Sequence, residues 1–167
     1  MRLFYAIWPD SAASLALAEV AGALAPLAGG RPVPREKIHL TLAFLGEVTP
    51  QRMDQALAID VRAAPFDLRL DRVGAFRGAR VAWAGTAEPP PGLLSLQSRL
   101  AEALQALGFG LEERPFAAHA TLARKIARPV PLTPMAPVQW RVGAYALVQT
   151  LPGTGRYATV REWNLGD

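Results

Sequence analysis

The chain carries the same four-residue pattern twice. Residues 39–42 and 119–122 both read His-x-Thr-Leu, and these two histidines are the only ones among the 167 residues. Each copy lies in a short apolar run, at residues 38–45 and 118–123, that is typical of a β-strand. Any fold for this chain therefore has to accommodate two strands that each carry a histidine near the start.

The alternation of a strand sorts the side chains of each motif between two faces. His39 and Thr41 are expected to point the same way, while Leu40, Leu42 and Phe44 point the other way, into a core. His119 and Thr121 are expected to share a face in the second copy. The chain thus presents an imidazole and a hydroxyl together, twice.

The elements around the two motifs repeat as well. A strand, a helix, a loop and a His-x-Thr strand are predicted in that order at residues 3–8, 11–26, 31–37 and 38–45, and again at 80–86, 93–107, 109–117 and 118–123. A further helix is predicted at 49–64 and strands at 66–76, 138–151 and 156–165, with a proline-rich connection at 129–137. Residues 72–76 (RVGAF) and 141–145 (RVGAY) look like a second echo of the repeat.

This organisation predicts an α+β fold in which residues 1–167 form one domain of two repeated lobes. Lobes related by a pseudo-twofold axis would bring both motifs into a central cleft. The 51% of apolar residues is enough to bury a core. The helix that starts at Ser11 is interpreted as an amphipathic core helix, since no charge-free apolar run of membrane-spanning length occurs. A cytoplasmic monomer is expected.

The residue counts exclude several kinds of site. The chain has no cysteine, which removes disulfides, thiol nucleophiles and thiolate metal sites. Two histidines are too few for a His-rich metal cage, so neither a metal nor another cofactor is expected. The net charge of +4 points mildly to an anionic partner, and only Lys37 and Lys125 of the 18 basic residues are lysines. The arginine bias suits bidentate phosphate contacts, and it is equally consistent with genome composition.

Paired histidines suit displacement at phosphorus. A neutral imidazole takes a proton from an attacking water, and a protonated one on the opposite side gives a proton to the leaving oxygen. The hydroxyls of Thr41 and Thr121 can donate to the non-bridging oxygens, and Arg124 can add a fork of donors. A strained, anionic 2′,3′-cyclic phosphate on RNA is a natural substrate for such a site.

Each of these residues also has a plain structural interpretation. A single His-x-Thr in a strand is usually structural, and the threonines are ordinary strand formers. Arg124 lies five residues after His119, so an ideal strand sends its side chain to the opposite face. Only a bulge, strand twist or its long reach would bring it into the cleft. Trp83, Phe76, Tyr145 and Tyr157 could stack on a base or belong to the core.

The chain resembles the 2H phosphoesterase superfamily, and within it the LigT-type RNA 2′,3′-cyclic phosphodiesterases, also called 2′-5′ RNA ligases. Residues 39–46 and 119–124 carry the resemblance, with the opening strand 2–7 and the ending at 156–157 and 163–165. It implies a bilobal α+β fold and metal-independent hydrolysis of an RNA-terminal 2′,3′-cyclic phosphate to a 2′-phosphate. It also implies that His39 donates a proton, that His119 accepts one, and that Arg124 matches the family's arginine after the second motif.

Three alternatives stay open on the sequence. The same site could run in reverse as a 2′-5′ RNA ligase. It could be a non-catalytic module that binds RNA ends, or it could act on a small cyclic nucleotide or an ADP-ribose cyclic phosphate.

Overall fold

Two four-stranded antiparallel half-sheets meet at the centre of the molecule. The computed structural model describes residues 1–166. The strands are β1 (Arg2–Ile7), β2 (Arg31–Pro32), β3 (Leu40–Glu47), β4 (Phe66–Phe76), β5 (Val81–Gly85), β6 (His119–Arg124), β7 (Thr133–Val142), β8 (Ala144–Thr150) and β9 (Tyr157–Asn164). The helices are α1 (Ser11–Ala28), α2 (Pro50–Leu57) and α3 (Pro91–Ala106). The α+β prediction is confirmed.

The strand order has the symmetry of a repeated unit. It runs β7-β4-β5-β6-β3-β1-β8-β9, so the two motif strands, β3 and β6, are neighbours at the centre, and β2 pairs separately with β6. The units β1-α1-β3 and β5-α3-β6 have the same order along the chain. Each helix crosses the junction, because α1 follows β1 but packs on β6, and α3 follows β5 but packs on β3. The crossed helices tie the halves together around the central strands.

One face of the α1 helix is buried along its whole length. Asp10 caps its start by accepting a hydrogen bond from the Ala13 amide at 2.8 Å, and Gly29, at φ 70°, ends it. The buried residues are spaced at three or four positions, as a helix face requires: Ala13, Leu17, Ala21, Ala25 and Ala28. The helix is long and apolar enough to cross a membrane by length and composition. Its buried stripe instead packs on the sheet.

Three expectations about element boundaries are wrong. The α2 helix ends at Leu57 rather than near residue 64. The predicted strand 138–151 is two strands, β7 and β8, which are separated at Gly143. The β7 strand also begins inside the proline-rich segment, at Thr133. Proline is tolerated there because β7 lies at the edge of the sheet, where outward-facing backbone positions need no hydrogen-bond donor.

The second sequence echo is not part of the structural repeat. Gly74 lies within β4, opposite Trp83 of β5, whereas Gly143 lies in the break between β7 and β8. The two five-residue segments therefore occupy different places in the fold. The repeat rests on the strand-helix-strand units and on the two motifs.

Candidate active site

The two motif strands meet at a single residue pair in their ladder. Leu40 of β3 lies opposite Ala120 of β6, and both side chains are buried. The histidine and the threonine of each motif flank this pair and point away from the core side. The fold therefore brings His39, Thr41, His119 and Thr121 to one face at the junction of the half-sheets.

The His39 ring is held at both nitrogens. Its Nδ1–H donates to the carbonyl oxygen of Lys37 at 2.7 Å, since a carbonyl can only accept. Its Nε2 lies 3.0 Å from the hydroxyl oxygen of Thr41. Because Nδ1 is committed to the backbone, Nε2 is the nitrogen available for proton transfer.

Aromatic rings surround His39 on three sides. Phe4 stacks on the imidazole with ring centroids 4.9 Å apart, Tyr157 meets it edge-on at 5.5 Å, and Trp8 lies 5.4 Å away. Lys37 places its ammonium 4.7 Å from the centroid of the Tyr157 ring. Sequence reasoning missed Phe4, Trp8 and Lys37. The even spacing of Phe4 and Trp8 in the opening strand places both rings on one face. That spacing would point to His39 only if β1 were known to lie beside β3.

This enclosure lowers the pKa of His39 below its ordinary value of about 6.5. Burial is the largest cause, because it penalises the charged imidazolium. The positive charges of Arg124, His119 and Lys37 act in the same direction, and the hydrogen bond to the Lys37 carbonyl opposes them. In the free protein His39 is thus biased toward the neutral form.

The surroundings of His119 resemble those of His39 but leave the imidazole more exposed to solvent. Its Nδ1–H donates to the carbonyl oxygen of Ala117 at 2.7 Å, two residues upstream, just as His39 bonds to Lys37. Phe76 meets its ring edge-on at 5.0 Å, and Trp83 lies 6.5 Å away. Both histidines therefore have the same orientation relative to their own strand, with Nε2 free of the backbone.

A bulge occurs at the same place in both motif strands. Along β3, Thr41 lies opposite Ala6 and Ala43 opposite Tyr5, so Leu42 is skipped. Along β6, Thr121 lies opposite Trp83 and Ala123 opposite Ala82, so Leu122 is skipped. An extra residue reverses the face of every later side chain in the strand.

The bulges decide where Phe44 and Arg124 point. Arg124 lies opposite Val81, which shares a face with Trp83 and hence with Thr121, so Arg124 is on the histidine side. Its charge reaches His39, whose pKa it lowers. Phe44 is placed in the same way on β3, and the expectation that it faces the core is wrong, since 49% of it is exposed.

The four candidate stacking aromatics separate into two groups. Tyr145 is buried and donates its hydroxyl to the Val61 carbonyl at 2.9 Å, so it belongs to the core. Burial raises its pKa to about 12. Tyr157 lies beside His39, and Phe76 and Trp83 lie beside His119.

Part of the arginine bias has a structural explanation. Five arginines donate to backbone carbonyls that end or connect elements: Arg35 to Ser11, Arg52 to Leu107, Arg80 to Ile126, Arg128 to Leu27 and Arg161 to Leu57. These guanidinium groups join parts of the chain that are far apart in the sequence. Arg124 has no such bond within residues 1–166, and its side chain is exposed on the histidine face.

Comparison with known proteins identifies the family. The family model described as LigT like Phosphoesterase matches residues 7–83. The chain is 35% identical to the RNA 2′,3′-cyclic phosphodiesterase of Escherichia coli, over 84% of this chain and 82% of that one. It is 37% identical to the RNA 2′,3′-cyclic phosphodiesterase of Thermus thermophilus, over 97% and 88%. A crystal structure of E. coli LigT complexed with 3′-AMP matches with a TM-score of 0.87 and 32% identity, over 99% and 98%.

The family model covers the first motif strand only, whereas the similarities to the Thermus enzyme and to the LigT structure span nearly the whole chain and include both motif strands. The 2H resemblance that the paired motifs predicted is confirmed. The chain belongs to the LigT-like phosphoesterases.

Proposed function

We propose that this protein hydrolyses an RNA-terminal 2′,3′-cyclic phosphate to a 2′-phosphate by acid/base catalysis between His39 and His119. One observation carries the proposal: both imidazoles keep Nε2 free of the backbone and flank the same Leu40–Ala120 pair. The names of the curated relatives, RNA 2′,3′-cyclic phosphodiesterases, supply the substrate class.

The division of labour follows from the chemistry of in-line displacement. His119 Nε2 accepts a proton from water as the water oxygen attacks phosphorus. His39 Nε2 donates a proton to the 3′-oxygen as the bond from phosphorus to that oxygen breaks. The hydrogen bond from each Nδ1–H to a carbonyl holds the tautomer that leaves Nε2 for this work.

Three side chains are proposed to hold the phosphate. The hydroxyls of Thr41 and Thr121 donate to the non-bridging oxygens, where negative charge collects. Arg124 offers two parallel N–H donors to the same oxygens. The bulge at Leu122 is what makes Arg124 available, because it turns this side chain to the histidine face.

Substrate binding supplies the protonation state that the mechanism needs. The free protein disfavours charge on His39, because the ring is buried and Arg124, His119 and Lys37 lie nearby. A phosphate anion beside these groups neutralises much of that repulsion and favours the imidazolium. His39 thus becomes the acid when an anionic substrate is in place.

A single chain is the proposed working unit. Each half of the chain supplies one His-Thr pair, so residues 1–167 act together as one domain and a monomer holds a full site. An RNA-end substrate fits a cytoplasmic enzyme.

The decisive experiment is turnover of an oligonucleotide that ends in a 2′,3′-cyclic phosphate, with and without EDTA. Hydrolysis that is undiminished by EDTA supports the proposal, since the chain has no cysteine and residues 1–166 hold no cluster of three histidine or acidic side chains placed for a metal. Activity lost with EDTA and restored by one metal would overturn the metal-independent mechanism. Binding without turnover would favour an RNA-end-binding module, and joining of a 5′-hydroxyl end would favour the ligase.

A further inference from the structure

Two arginines face each other beside the candidate phosphate site. Arg31 of β2 lies directly opposite Arg124 of β6, and both side chains are exposed. Directly opposed residues share a face and have Cα atoms about 5 Å apart. Because Arg124 shares a face with Thr121, Arg31 lies on the histidine side as well.

A glycine holds the two strands at this distance. A Cβ atom on Gly30 would lie 2.6 Å from the carbonyl oxygen of Arg124 and 2.9 Å from Cγ2 of Ile126. The amide of Val33 donates to the Leu122 carbonyl at 2.8 Å on the other side of the pair. The backbone therefore fixes Arg31 beside Arg124.

This pair is an exception to the charge pattern of the sheet. The other directly opposed charged pairs within residues 1–166 are complementary: Arg2 with Glu47, and Arg141 with Asp67. Like charges directly opposite destabilise a sheet. No carboxylate of the described residues forms an ion pair with Arg31 or Arg124, so the charge of this pair is left for a ligand.

We propose that Arg31 binds the phosphodiester that links the terminal nucleotide to the rest of the RNA, and so makes the enzyme favour oligonucleotides over mononucleotide cyclic phosphates. The inference rests on the proposed function. Arg31 and Arg124 lie side by side three residues beyond Thr121 along β6, past the His-Thr groups. The charge of Arg124 acts on His39 and that of Arg31 does not, so an anion held by Arg31 lies farther from the reacting phosphorus. A 2′,3′-cyclic mononucleotide has no phosphate to place there.

The test compares Arg31→Gln with the wild type on two substrates, adenylyl-adenosine 2′,3′-cyclic phosphate and 2′,3′-cyclic AMP. We expect kcat/KM for the dinucleotide to fall about tenfold, as for loss of one exposed charge-assisted contact, with less than a twofold change for the mononucleotide. The slope of log KM against log salt for the dinucleotide should fall by about 0.7. Arg99→Gln is the matched control, because Arg99 is exposed on α3 and its loss changes the net charge equally.

Each other outcome overturns the inference. Equal losses on both substrates would place Arg31 at the terminal phosphate or in the framework of the site. An unchanged rate on the dinucleotide, or an equal loss in Arg99→Gln, would remove its specific role. If the wild type hydrolyses neither substrate, the proposed function fails. Calorimetric binding of the dinucleotide 2′-phosphate to wild type and Arg31→Gln then decides the role of Arg31 separately, and equal affinities overturn it.

Discussion

Leu40 and Ala120 lie opposite each other where β3 meets β6, and each is preceded by the histidine and followed by the threonine of its motif. One buried pair thus sets the register of the four candidate site residues. A shift by one residue would turn one His-Thr set toward the core. The α1 helix packs on β6 and the α3 helix packs on β3, so each helix links one half-sheet to the motif strand of the other and helps to hold this register.

Replacing either histidine should abolish hydrolysis. We expect His39→Ala and His119→Ala each to lower kcat by about 10²–10⁴-fold, because each removes one of the two proton-transfer groups. Circular dichroism and thermal melts of both variants provide the folding control, since His39 is packed among aromatic rings. Near-normal turnover by either folded variant would contradict the assignment.

The pKa of His39 should lie below 6.5 in the free protein and rise when phosphate binds. Burial and the charges of Arg124, His119 and Lys37 lower it, and an anion offsets those charges. NMR titration of the imidazole signals measures it, and His119→Ala assigns the spectrum because the chain has only two histidines.

The same titration tests the contribution of Arg124. Removing a neighbouring positive charge raises the pKa of an imidazole, so Arg124→Gln should move the His39 titration to higher pH. Arg99→Gln, which changes the net charge equally on another part of the surface, should leave it in place. A His39 pKa at or above 6.5 in the free wild type would disprove the electrostatic description of the site.

The position of the Trp83 ring should depend on Gly74 and Gly85, which lie against it. A Cβ on Gly74 would lie 2.6 Å from Cζ2 of this indole, and one on Gly85 would lie 2.7 Å from Cζ3. We expect Gly74→Ala to cost about 1–3 kcal/mol of unfolding free energy through overpacking, and to lower activity because Trp83 neighbours His119. Gly78→Ala is the control, since nothing lies within 4 Å of its Cβ position. Equal denaturation midpoints for the two variants would show that Trp83 moves without cost.

Alternation within each motif was sufficient to predict which side chains share a face with the histidines. His39 with Thr41, and His119 with Thr121, needed only the period of a strand. The faces on which Phe44 and Arg124 lie could not be predicted from the motifs. They depend on the bulges at Leu42 and Leu122, and a bulge arises only from the way a strand pairs with its neighbour.

The aromatic enclosure of His39 depended on strand order. Phe4 and Tyr157 are 153 positions apart in the numbering (157 − 4), and they meet only because β3, β1, β8 and β9 lie side by side. The extension of β7 through Pro134 likewise follows from its place at the sheet edge. Both features depend on which strands become neighbours in the sheet, and local sequence does not specify that.

The position of the product phosphate reports how the ribose lies between the two histidines. With His119 beside the attacking water and His39 beside the leaving group, the 3′-oxygen departs and the phosphate stays on the 2′-oxygen. We therefore expect only the 2′-phosphate, identified by phosphorus NMR against authentic 2′- and 3′-monophosphates. A 3′-phosphate would keep the two-histidine chemistry but reverse the ribose. A 3′-phosphate would also be the product if His39 acted as the base. The lowered pKa of His39 favours the neutral form that a base requires before substrate binds.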